Sequence, residues 1–136
     1  MSDQLARLNR RLDAIPLAVR EAVKPALETS ANEMAEAMRK LAPEDTGALK
    51  DSITVTPGGQ RTPAYSQPGG SQTVPENAVA ITAGSTDVRY PHLVEYGTED
   101  ASPQPFFWPT FRLYRQRAQR RISRAIGKAV REGWTK

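Results

Sequence analysis

Cysteine is missing from all 136 residues, so the chain has no disulfide framework, thiolate metal site or thiol nucleophile. Histidine occurs once, at His92, which leaves no Ser-His-Asp or Cys-His arrangement and denies zinc a pair of imidazoles. No apolar run approaches the roughly 20 residues that a membrane-spanning helix needs. The first fifteen residues alternate charge with leucine and lack the apolar centre of a signal peptide, so a soluble protein is expected. Gly58-Gly59 and Gly69-Gly70 lie in a segment with no helix signal behind it, which argues against a phosphate-cradling loop. The acidic pairs Glu44-Asp45 and Glu99-Asp100 read as solvated turns and caps rather than as a cation or acid–base site. No catalytic residue, metal or cofactor is expected, and no enzyme. Apolar residues are also few, at 38%, against eleven prolines and nine glycines. That composition suits a single domain over residues 1–136 whose small core is completed by neighbours.

The periodicities that remain predict an α+β chain: kinked N-terminal helices and a long C-terminal amphipathic helix packed on a small, mainly antiparallel sheet. Leu5, Leu8, Leu12, Ile15 and Val19 recur at helical spacing, and Val23, Leu27, Met34, Met38 and Leu41 continue the stripe. Pro16 and Pro25 suggest helices over 3–14 and 17–41, the second bent near 25. Residues 52–56 and 77–83 are β-branched and alternating and read as strands. A third strand is expected over 87–95, weakened by Pro91. Between the first two strands, 57–76 is a Pro/Gly-rich loop, or an arm that orders against an adjacent subunit and reaches about 30 Å at roughly 3.3 Å per residue. From Pro109 onward, Phe111, Tyr114, Ala118, Ile122, Ala125 and Ala129 share one helical face.

Charge and aromatics are both unevenly placed. Residues 110–136 hold nine of the nineteen Lys/Arg and only Glu132 as an acid, a net of +8; the rest of the chain is left at −4. Arg117, Arg121, Arg124, Lys128 and Arg131 recur at four- and three-residue steps and form a basic stripe beside the apolar one. Such a stripe is more often a solvated face than a phosphate-binding one, and the charge polarity of the chain also suits subunits that associate head-to-tail. Seven of the nine aromatics fall within 90–114. Three adjacent ones, Phe106, Phe107 and Trp108, cannot all point inward, so at least one should emerge as an interface anchor, with Tyr96 nearby.

Two islands and a short third carry most of the specificity. Ala42-Pro43-x-Asp45-Thr46-Gly47-x-Leu49-x-x-Ser52-Ile53 stops one helix at Pro43 and offers Asp45 and Thr46 as caps for the next turn. Tyr90-x-x-x-Val94-Glu95-Tyr96-Gly97-Thr98 ends a short apolar segment, and Gln104-Pro105-Phe106-x-x-Pro109 follows. In this order they resemble the neck or tail-completion proteins of long-tailed phages, the gene-product-ten-like proteins of HK-type siphophages and their prophage relatives. The resemblance spans nearly the whole chain, the N-terminal helix and 57–76 matching only in kind. It implies a structural virion protein without enzymatic activity at the head–tail junction. There it would form a homo-oligomeric ring, a hexamer by the symmetry of the family and the tail tube, against neck or stopper and tail-tube proteins, with DNA passing through the channel and the basic stripe pairing with acids of a neighbouring subunit. A small nucleic-acid-binding protein using the basic helix is the alternative, and a partner-binding domain with no viral role is a third.

Overall fold

The computed structural model describes residues 2–43, 47–99 and 102–135, with side chains from 17 onward to 133. The expected caps Asp45 and Thr46 lie outside the described residues. The elements in order are α1 (Ser2–Leu41), α2 (Ala48–Asp51), β1 (Thr54–Pro57), β2 (Val79–Thr82), α3 (Pro91–Tyr96) and α4 (Trp108–Thr135). The fold is α+β, with two long helices and a two-stranded antiparallel sheet.

The two helices expected over 3–14 and 17–41 are one helix, α1, about 60 Å long at roughly 1.5 Å per residue. Each proline costs one backbone hydrogen bond, but strong helix formers surround both of them. Pro25 is also exposed, which lets water reach the carbonyl it leaves free. Packing decides the outcome: α1 and α4 make the largest element-to-element contact in the molecule. They run antiparallel, since Glu33 meets Arg117 and Arg121 whereas Ala22 and Ala26 line a groove with Ala125 and Ala129. Four alanines there let the helix backbones approach closely.

β1 pairs with β2 in the register Thr54↔Thr82 to Pro57↔Val79. The third strand expected over 87–95 does not form. Ser85 and Val88 close a turn on each other, and Pro91 takes the first position of α3, where its missing N–H costs nothing. Pro91 is therefore a helix starter, not the edge-strand residue that the sequence suggested.

The 57–76 segment is paired within its own chain. Gly59 and Thr62 donate to Val74 and Gln72, and Val74 donates back to Gln60, each at 2.8 Å. The Thr62 hydroxyl donates to the Gly70 carbonyl and accepts from the Gln72 N–H, both at 2.8 Å. The far end then turns back, so that Gln67 and Ala83 exchange hydrogen bonds of 2.8 and 3.0 Å beyond the end of β2. Gly58 makes this doubling possible, because a Cβ there would lie 2.5 Å from the Glu76 carbonyl oxygen.

The core lies where α1, the sheet and the start of α4 converge. Met34, Ala35 and Met38 of α1 meet Leu49, Ile53, Ala83, Val88, Phe106 and Phe107. Ser52, buried at the end of α2, donates to the Leu49 carbonyl at 2.6 Å and accepts from the Gly84 N–H at 3.0 Å, tying the first island to the end of β2.

Candidate functional site

Six residues separate Gly97 from Gln104, yet the second and third islands meet in space through one side chain. Glu95, in the last turn of α3, is only 8% exposed and points at the start of α4. Its Oε1 accepts from the Phe106 and Phe107 N–H groups at 2.9 Å each, and its Oε2 accepts from the Trp108 N–H at 3.0 Å. These are orphan donors at a helix N-terminus, and the next residue, Pro109, has no N–H to satisfy. The carboxylate also opposes the positive end of the α4 dipole. The Thr110 hydroxyl adds a bond to the Phe106 carbonyl at 2.8 Å.

The return path from α3 is equally constrained. Gly97 has φ 79°, and a Cβ on it would lie 2.8 Å from Pro103. Gln104 N–H reaches back to the Val94 carbonyl at 2.8 Å, so 103–107 runs alongside α3 before α4 begins. Phe106, Phe107, Trp108 and Phe111 then follow one another edge to face, with centroids 6.4, 5.0 and 5.9 Å apart.

This geometry sorts the aromatic candidates. Phe106 and Phe107 are 1% and 8% exposed and belong to the subunit's own core, so they are not the emergent anchors. Three consecutive aromatics had suggested an outward ring; the irregular stretch into α4 turns the first two inward and leaves Trp108 half-buried. Its indole Nε1–H donates to the Tyr96 hydroxyl at 2.8 Å, and Tyr96 is 66% exposed. Leu93 is exposed on the same short helix and Tyr90 immediately before it, and Tyr65 lies under the Arg89 guanidinium at 3.7 Å. An apolar cavity opens beside Tyr96, walled by Pro68, Pro91 and Trp108. Of the remaining motif residues, Thr98 and Pro105 are exposed, and Pro43, Gly47 and Pro109 are half-buried.

The basic stripe divides in two. Arg117 Nε lies 2.7 Å and Arg121 Nη2 2.9 Å from the two carboxylate oxygens of Glu33 on α1, and Arg121 also donates to the Ser30 hydroxyl at 3.0 Å. These two arginines hold α4 on α1 within one chain, although the Arg117 side chain stays 65% exposed. Nothing in the sequence pointed to Glu33, because helix-to-helix register cannot be read from either helix alone. Lys128 sits 4.0 Å from Glu132 one turn on, and Arg124 donates to the Arg120 carbonyl at 3.3 Å. Arg124, Lys128 and Arg131 are exposed.

A half-polar surface of this kind, built around rigid turns and exposed aromatics, suits a structural subunit. The family comparison agrees: residues 6–97 match the model described as "Bacteriophage HK97-gp10, putative tail-component". The chain belongs to this family, which places it among phage structural proteins and in the virion. The matched region ends two residues after Glu95, so α4 lies outside it. No curated protein and no solved structure matches the chain significantly. Among the described residues no helix is long and apolar enough to cross a membrane.

Proposed function

We propose that this protein is a non-enzymatic subunit of the head–tail connector, a neck or tail-completion ring that joins the portal side of the capsid to the tail tube. The membership of residues 6–97 in a phage tail-component family carries this reading. The surface supports it: Tyr96 and Leu93 stand exposed on a six-residue helix, and Tyr90 immediately before it, on a segment that Glu95 and Gly97 hold rigid. Anchors pre-set in this way lose little ordering entropy on docking. A closed ring needs two different faces on each subunit, and the α3 surface and the far side of α1 and α4 provide them. Six copies, matching tail-tube symmetry, is the arrangement we favour.

Labelling the protein in purified particles and imaging them by electron microscopy tests the proposal. Label at the junction of head and tail is expected. Label distributed along the tail or at its tip, or absent from the particle, would overturn the connector assignment.

A further inference from the structure

With Arg117 and Arg121 turned onto Glu33, the arginines around the solvent side of α4 stand apart. Arg112, Arg115, Arg120 and Arg124 are all exposed, and among the described residues no carboxylate pairs with any of them. Gln116, Gln119 and Ser123 fill the positions between them and line a shallow surface groove with Arg120 and Arg124. From Arg112 to Arg124 the patch covers about 18 Å of helix axis, over which one strand of a duplex presents about five phosphates.

We propose that this outer face of α4 contacts the phosphate backbone of DNA. The connector reading supplies the reason DNA would be near; the surface chemistry stands independently of it. Guanidinium groups bind phosphate oxygens in a forked geometry, and Gln and Ser add neutral hydrogen bonds without sequence readout. A neighbouring copy's acids are a poorer match. Over residues 17–41 of α1, Arg20, Lys24, Arg39 and Lys40 balance Glu21, Glu28, Glu33 and Glu36. Of these acids, Glu21 and Glu36 pair along their own helix and Glu33 is held by α4. Over residues 17–41, therefore, α1 presents no facing acidic stripe for these arginines. Exposed, hydrated arginines would also hold DNA loosely enough to let it move.

Fluorescence anisotropy of the purified protein with a mixed-sequence duplex, titrated with salt, tests this. Two triple variants remove equal charge: Arg112→Gln, Arg115→Gln, Arg120→Gln on the outer face, and Arg20→Gln, Lys24→Gln, Lys40→Gln on α1. Wild type should bind with an affinity that falls steeply as salt rises. The outer-face variant should lose about 2–3 from the slope of log K against log salt, at roughly 0.9 per phosphate, and bind at least about tenfold more weakly near 0.1 M. The α1 variant should keep the wild-type slope. Equal losses in both variants, or no binding by wild type at low salt, would overturn the inference. So would sedimentation showing that the outer-face variant loses self-association while keeping its DNA affinity, which would assign the face to subunit pairing. DNA binding by a protein found away from the head–tail junction would sink the connector assignment alone; junction location without DNA binding would sink this inference alone.

Discussion

α4 is fastened at two places, and the two fastenings are chemically opposite. At its start, Glu95 is buried among aromatic rings and spends its charge on three backbone N–H groups, with no cation paired to it among the described residues. A third of the way along, Glu33 sits at a half-open helix–helix seam and divides its oxygens between two arginines. The first arrangement fixes main-chain atoms, which no rotamer change can replace. The second joins flexible side chains that water can partly substitute. One acid determines where the helix begins; the other only steadies how it lies.

Substitutions should separate the two. Glu95→Ala leaves buried N–H groups without acceptors and should cost about 3–5 kcal/mol in denaturant unfolding, the largest single effect in the molecule. A variant within about 1 kcal/mol of wild type would show that the clasp contributes little. Gly97→Ala comes next, at about 1–3 kcal/mol, because it adds a Cβ against Pro103 at a positive φ. A thermal melt unchanged from wild type would mean the turn before Pro103 relaxes freely. At the Glu33 seam the effects should be smaller and unequal. Arg121, with its side chain 26% exposed, should cost roughly 1 kcal/mol when replaced by Ala, and Arg117, at 65%, within about 0.5 kcal/mol. If Arg117→Ala proved the costlier of the two, exposure would be the wrong guide to their roles.

The same contrast explains what the sequence could and could not disclose. Local patterns were readable: helical stripes predicted α4 and the helical character of the N-terminal stretch, though as two helices, β-branched runs predicted both strands, and the islands predicted the family. Proline was ambiguous in isolation. Pro16 and Pro25 look like breaks, yet α1 runs through both, and around Pro25 contact with a helix more than eighty residues away holds it. Pro91 looked like damage to a strand and begins a helix instead. The inward turn of Phe106 and Phe107 and the pairing of Arg121 with Glu33 depend on which surfaces meet, and no spacing within one segment records that. Glu95 was visible as part of a motif, but its task became clear only beside the N–H groups that it holds.

Both acids that seat α4 lie within residues 6–97, whereas the helix they seat lies beyond that range. The socket and what it holds are thus written in different parts of the chain. Evolution could recolour the helix's solvent side, trading arginine for another character to suit a different virus, while the inward groups kept the rod mounted at the same angle.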